Sequence, residues 1–284
     1  VNNHVVIVGS GLAGYTLAKE IRKTNPNSPI SLFTKDNGDN YSKPMLSNAL
    51  TMKKSAKELI LKSAEQTAID LNINLRTGIE ITRIDRDKKE LVTEHGVVKY
   101  DKLVLALGGE QIVLPFSGNG ADSVLQINNL KHYEKFRKSL NENATVTIIG
   151  GGLIGCEFAN DLILSGYQVN IIDLAQLPLS RLVPDEFGER IKKTLADLGI
   201  NWSLNSSVKA INKVNNKLIC SLSDGNEIQS DIIISAIGLR PNVGLAQDAG
   251  LSLDRGIKVD ATMATSDPDI FAIGDCAQIG EEYT

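Results

Sequence analysis

A chain of 284 residues has the length of two domains of ordinary size, and 42% hydrophobic residues supply a core for each. Aromatic content of 5%, a net charge of −4 and a pI near 5.5 argue against a base-stacking surface and against a polyanion as the main partner. No apolar run approaches the roughly 20 residues that span a bilayer, and a strand and glycine motif begin almost at once, so a soluble, cytoplasmic protein is expected.

The first element is an apolar run, Val5 to Val8, leading into Gly9-Ser10-Gly11-Leu12-Ala13-Gly14 and a helix-like stretch, with a short strand at Ile30 to Phe33. Strand, helix and strand in that order make the βαβ unit of a parallel sheet. In the GxGxxG pattern Gly9 makes the tight turn out of the strand. Gly11 lets backbone approach a pyrophosphate, and Gly14 lets the helix pack close. The helix then offers free N–H groups and a partial positive charge to the phosphates. A ribose carboxylate is expected after the second strand; that position is Thr34, and Asp36 lies two residues on. Alternating residues from Leu91 to Tyr100 predict a hairpin, and Leu103 to Gly108 predict a strand ending in glycine.

The pattern then repeats. Val146 to Ile149 lead into Gly150-Gly151-Gly152-Leu153-Ile154-Gly155, followed by a helix-like stretch and the strand Gln168 to Ile172. Gly150, Gly152 and Gly155 take the roles of Gly9, Gly11 and Gly14. Here an acid does follow the strand: Asp173, about 18 residues past Gly155. A carboxylate there accepts bonds from both ribose hydroxyls and repels a 2′-phosphate, which favours NAD over NADP. Leu218 to Ile228 predict a second hairpin, and Ile232 to Gly238 a second strand ending in glycine. One more strand, Ile270 to Ile273, ends in Gly274-Asp275.

If that last strand belongs to the first sheet, the second domain is inserted into the first. The turn-rich stretches Pro115 to Gly120 and Arg240 to Leu245 are the expected crossings. The fold class is therefore α/β, with two Rossmann-like dinucleotide-binding domains. The first spans 1–115 and 244–284, and the inserted one 116–243.

Cys156, Cys220 and Cys276 are scattered and form no CxxC, and His4, His95 and His132 have no metal-ligand spacing. Buried thiols and no metal site are expected.

Across nearly its whole length the sequence resembles the glutathione-reductase-like FAD/NAD pyridine nucleotide oxidoreductases, and within them the NADH-dependent reductases of small iron proteins. Tyr41-Ser42-Lys43-Pro44-Met45-Leu46-Ser47 is similar to the loop that passes over the isoalloxazine in that group. Leu105-Ala106-Leu107-Gly108 corresponds to the strand-end "ATG" motif. Gly150 to Ala159 fit the NAD fingerprint with its following glutamate, Glu157, and Ala236 to Asn242, with Gly238, fit the return between domains. Thr265 to Ala277 are the most specific stretch.

The resemblance implies FAD in the first domain and NADH in the second. It assigns Asp275 to the ribityl chain, Lys43 to negative charge on the reduced flavin and Glu157 to the nicotinamide face. It also assigns backbone groups of Ile81 to adenine. No catalytic side chain is required, because the cofactors carry out the hydride transfer. The acceptor it implies is rubredoxin, as in electron transfer to alkane hydroxylation. Flavorubredoxin, a ferredoxin or nitrite-reductase centres stand as alternatives, as do an NADH-sensing flavoprotein that works through partner binding and a flavin-free NAD dehydrogenase. Asn48 departs from the ferredoxin-reducing relatives, which carry lysine there. The thiol-using branches place a cysteine in the flavin loop or a pair on the early helix, and neither is present. The family also continues into a C-terminal interface domain, which is expected to be missing from these 284 residues.

Overall fold

The computed structural model describes residues 3–280 and the backbone of 282 and 283. In chain order the strands that build its two main sheets begin with β1 (Val5–Val8), β2 (Ile30–Phe33), β3 (Asn74–Arg76) and β4 (Lys102–Leu105). There follow β5 (Thr145–Ile149), β6 (Gln168–Ile172), β7 (Asn201–Ser203), β8 (Ile232–Ser235) and β9 (Ile270–Ala272). Four helices matter for the sites: α1 (Leu12–Thr24), α2 (Leu130–Ser139), α3 (Leu153–Leu164) and α4 (Asp185–Asp197). Among the described residues no helix is long and apolar enough to cross a membrane.

The chain divides into two compact units: Val1–Ser42, Ile60–Glu110 and Arg240–Thr284 form one, and Lys43–Leu59 with Gln111–Leu239 form the other. The first is built on the parallel sheet β9-β4-β1-β2-β3. Its strands are apolar on both faces because both faces are covered, as a parallel sheet requires. Alternation sorts the side chains. Val6, Val8, Leu103 and Leu105 join one core, with Ile84 and Leu91 of an antiparallel three-stranded sheet, Ile81–Asp85, Glu90–Thr93 and Gly96–Lys99. Ile7, Val104 and Leu32 join the other, against Tyr15 and Ala18 of α1. The C-terminal strand β9 pairs with β4, Ile270 opposite Leu103, so the last segment does complete the first sheet.

The second unit repeats the plan with the parallel order β7-β6-β5-β8. Its appended sheet, Val208–Val214, Lys217–Leu222 and Glu227–Ser230, packs Ile211, Leu218, Cys220 and Leu222 against Ile149, Ile172 and Ile233.

One unit boundary, between Glu110 and Gln111, falls a few residues before the crossing expected at Pro115 to Gly120, and the other, between Leu239 and Arg240, falls at the start of the one expected at Arg240 to Leu245. Within each unit the crossing strands are tied down by backbone: Asn242 N donates to Gly108 O at 2.9 Å, and Ile112 N to Gly238 O at 3.1 Å.

One segment differs from the sequence-based division. Lys43–Leu59 lies in the first stretch of chain yet groups with the second unit. It departs and returns through a short antiparallel pair, Asn40–Tyr41 with Ile60–Lys62. The physical reason is a carboxylate. Asp161 on α3 is only 1% exposed. Its Oδ2 accepts from Leu50 N at 2.8 Å, and its Oδ1 from Thr51 N at 2.8 Å and Thr51 Oγ1 at 2.6 Å. One turn earlier, Glu157 Oε2 accepts from Ser47 Oγ at 2.6 Å. On α2, Tyr133 Oη donates to Lys54 O at 3.2 Å. A buried charge is tolerated when donors surround it, and here the segment supplies them.

Asp161→Ala leaves those donors unpaired, and a loss of about 2–4 kcal/mol is expected. Trp202, the single tryptophan, lies on β7 of the same unit and reports its unfolding in urea. An unchanged midpoint would remove Asp161 as the anchor.

Candidate functional site

The two glycine turns are superposable in their chemistry. Gly9 has φ +116° and Gly150 φ +110°, a region that disfavours any side chain. A Cβ on Gly9 would land on the carbonyl oxygen of Ala106, and one on Gly150 would meet that of Ala236 at 2.5 Å. Gly14 and Gly155 in turn sit against the carbonyls of Gly9 and Gly150. These four glycines let the helix start directly over the end of the strand.

Gly11 and Gly152 differ in kind. Each caps its helix with extended backbone, φ −71° and −74°, and a Cβ on either would meet nothing within 4 Å. No side chain caps either helix, and no acid lies in either first turn. The first N–H groups and the helix dipole therefore point into open space, which is what a pyrophosphate requires. Leu12 and Leu153 stand beside these openings 71% and 54% exposed. Ala13 and Ile154, next along, are half-buried. The residues present fit dinucleotides at both turns.

The positions expected to meet ribose use different hydrogen bonding. Asp173 follows β6, half-buried; its Oδ2 accepts from Gly151 N inside the glycine turn, and its Oδ1 from Ala175 N at 2.6 Å. In the first unit Thr34 takes the equivalent place, buried, and Asp36 closes the gap. Ser10 Oγ donates to Thr34 Oγ1 at 2.9 Å and lies 3.1 Å from Asp36 Oδ1. Thr34 Oγ1 and Gly38 N also reach Asp36 Oδ1, at 2.8 and 2.9 Å. The three bonds that reach Asp36 fall on one oxygen of this exposed carboxylate.

Gly274-Asp275 returns to the same turn. Gly274 has φ +70°, and a Cβ there would lie 2.9 Å from the Cβ of Ala13 on α1. Asp275 is exposed and makes no hydrogen bond among the described residues. Ala106 N donates to Val8 O at 2.8 Å, and Gly108 has φ +65°, so the end of β4 folds over beside β1. The tertiary structure thus gathers Gly9 to Gly14, Thr34, Asp36, Ala106 and Gly274 around the start of α1. Ile81 begins the appended sheet opposite Thr93, with its side chain in the core. Gly238, at φ +119°, serves the crossing through its carbonyl.

Lys43 and Pro44 open a 3-10 helix, Lys43–Ser47, that belongs to the second unit. Ser47 bonds Glu157 there, and its hydroxyl also donates to Pro44 O at 3.0 Å. Beside them lies a cleft of about 360 Å³ lined by Asn48, Leu153, Glu157, Asn160, Leu179 and Arg190. Sequence reasoning missed Ser47 and Asp161. The signal available was their type: a hydroxyl in a loop, and a carboxylate in an otherwise apolar helix, LIGCEFANDLIL.

All three thiols are buried. Burial pushes Cys156 and Cys220 up to about 12, and raises Cys276 as well. None is a thiolate at neutral pH, so none can act as a redox nucleophile. No metal-binding cluster occurs among the described residues.

Residues 3–284 match the pyridine nucleotide-disulphide oxidoreductase family, and the chain belongs to it. A rubredoxin-NAD(+) reductase of Alcanivorax borkumensis is 42% identical over 97% of this chain and 72% of its own length. A nitric oxide reductase FlRd-NAD(+) reductase of Vibrio vulnificus is 37% identical over the same shares. Among solved structures, the covalent putidaredoxin reductase–putidaredoxin complex matches with TM-score 0.91 and 31% identity, covering 99% of this chain and 69% of that one.

Two outcomes follow from this geometry. Gly152→Ala should fold with stability within about 1 kcal/mol of wild type, yet lose at least about tenfold in NADH affinity. Gly150→Ala should lose more than about 2 kcal/mol. Urea unfolding and NADH titration separate the two, and equal behaviour would contradict the division of roles. Alkylation of Cys156 and Cys220 in the native protein should be negligible at pH 8. Because their folded values are raised, the stability they contribute is intact below the unfolded value near 9 and is lost as pH climbs toward about 12. Rapid labelling at pH 8 would count against their burial.

Proposed function

We propose that this member of the pyridine nucleotide-disulphide oxidoreductase family is an NADH-dependent flavoprotein reductase that passes electrons through FAD to a small iron protein, rubredoxin. The observation that carries the reading is the pair of open helix N-termini at Gly11 and Gly152, one in each unit. A flavin-free dehydrogenase has no use for the first of them.

In the first unit, the turn Gly9–Gly14 holds the FAD pyrophosphate. Asp36, braced by Ser10 and Thr34, offers its second oxygen to the adenosine ribose. Asp275, exposed and without an internal partner, accepts from a ribityl hydroxyl. Backbone groups of Ile81, Ala106 and Gly108 complete that site. Bound FAD supplies the conversion of a two-electron donor into one-electron deliveries.

In the second unit, Gly150–Gly155 hold the NADH pyrophosphate, with Leu153 and Ile154 against the nucleotide. Asp173 is fixed by Gly151 N and Ala175 N, so its remaining lone pairs are already aimed when ribose arrives. Its charge opposes a 2′-phosphate. Glu157 is assigned to the nicotinamide and Lys43 to charge on the reduced flavin. No side chain need move a proton for hydride transfer.

Rubredoxin as acceptor rests on the likeness to rubredoxin-NAD(+) reductases. Flavorubredoxin is the second reading, supported by the relatives 37% identical. Delivery onward to alkane hydroxylation and a cytoplasmic location belong to the same proposal.

The test is anaerobic. NADH should bleach the flavin, and oxidised rubredoxin should restore its colour. No bleaching sinks the enzyme reading; restoration by flavorubredoxin alone sinks the acceptor. Asp173→Ala should raise the NADH KM about tenfold and lower the NADH to NADPH preference by a similar factor, since a charge-assisted bond contributes about 1.5–3 kcal/mol. An unchanged preference would remove Asp173 from the ribose.

A further inference from the structure

The chain carries a net charge of −4, yet two neighbouring elements of the second unit are rich in cations. The segment Lys43–Leu59 brings Lys53, Lys54 and Lys57, and the helix α2 brings Lys131, Lys135, Arg137 and Lys138. Tyr133 Oη on α2 bonds Lys54 O at 3.2 Å, so segment and helix are neighbours. Glu58 confirms the proximity: its carboxyl is held low first by Ser55, at 2.6 and 2.8 Å, and also by the charges of Lys54 and Arg137. The only carboxylates these two elements carry are Glu58 and Glu134, and Glu134 is paired with Lys138 at 2.8 Å. Five of the seven cations, all but Lys54 and Arg137, are exposed.

We propose that the segment around Lys53 and Lys57, together with the exposed face of α2, is a docking surface for a small protein with an acidic surface. Resting on the reductase reading above, it makes this the surface that receives the electron acceptor. Cations gathered on one face of an acidic molecule attract an acidic partner and orient it during approach. The surface is also held in place. Asp161 and Tyr133 fix the segment at Leu50, Thr51 and Lys54, and Asn129 caps α2 through His132 N at 2.8 Å. Charges on an ordered support lose less freedom on binding than charges on a loose loop.

Two other occupants fit less well. Single-stranded nucleic acid held through its bases requires aromatic platforms, and Tyr133 and Phe136 are both fully buried. A membrane surface requires an apolar face beside the lysines, and the segment and α2 expose a single large apolar side chain, Met52.

The experiment measures binding of oxidised rubredoxin to the FAD-loaded protein by surface plasmon resonance across a salt series. One variant carries Lys53→Glu with Lys57→Glu, and another Lys135→Glu with Lys138→Glu. Lys209→Glu, exposed on the appended sheet of the same unit, is the control. Each double variant should weaken binding about tenfold and flatten its salt dependence, while Lys209→Glu changes it less than twofold. The matching Lys→Gln pairs should show smaller losses in the same direction. The rate of flavin bleaching by NADH should stay at the wild-type value throughout. Unchanged rubredoxin binding in both double variants would overturn the proposal, and so would an equal effect from Lys209→Glu. A loss of binding to DNA or to anionic vesicles in place of rubredoxin would overturn it too. Rubredoxin binding that follows the lysines without any bleaching by NADH would leave the docking surface standing and sink the reductase reading instead.

Discussion

Both units depend on one close approach: a glycine at the end of a central strand lying against the carbonyl of the neighbouring strand. Gly9 meets Ala106 in this way, and Gly150 meets Ala236. The approach turns the chain sharply enough for a helix to begin over the sheet edge. Everything that would hold a nucleotide follows from it. The helix N-terminus is aimed outward, the next glycine leaves the phosphate space open, and the third lets the helix lie on the strand. A side chain at Gly9 or Gly150 would collide with the carbonyl of the neighbouring strand, and the turn that aims the donors would be lost.

The carboxylates beside the two glycine turns are held in two different ways. In the second unit Asp173 sits directly after its strand and reaches the glycine turn itself. In the first, a threonine occupies that place, and its hydroxyl links Ser10 to an aspartate two residues further. Both bring one carboxylate to the edge of a glycine turn. In the second the carboxylate is also fixed from its other oxygen, by Ala175 N at 2.6 Å.

Asp161 organises a different level of the molecule. A fully buried carboxylate cannot stand alone, and its donors come from a segment more than a hundred residues earlier in the chain. That requirement attaches Lys43–Leu59 to α3 and α2. The flavin-loop residues Lys43 and Pro44 and the lysines that follow are thereby carried by the same unit as the Gly150 turn. The helix that begins at the Gly150 turn therefore also anchors the segment carrying part of the cationic surface.

Much of this was legible in the residues. Apolar runs before GxGxxG, turn composition and strand-end glycines are local patterns, and they announced both βαβ units, their order, both appended hairpins and the return of Ile270 to Asp275 to the first sheet. Local patterns suffice there because turns and helix starts are set by neighbours in sequence, and the handedness and short connections of βαβ units restrict how their strands can pair. The sequence also named Asp173, since its spacing from Gly155 is itself a local measure. What the tertiary structure alone decided were the long-range choices. It chose Asp36 with Thr34 and Ser10 as a bonded set, Ser47 as the partner of Glu157, and the second unit as the place of Lys43–Leu59. Each depends on a polar group finding donors or acceptors across the fold, and no periodicity in the chain records which of many candidates will be near when a buried charge must be satisfied.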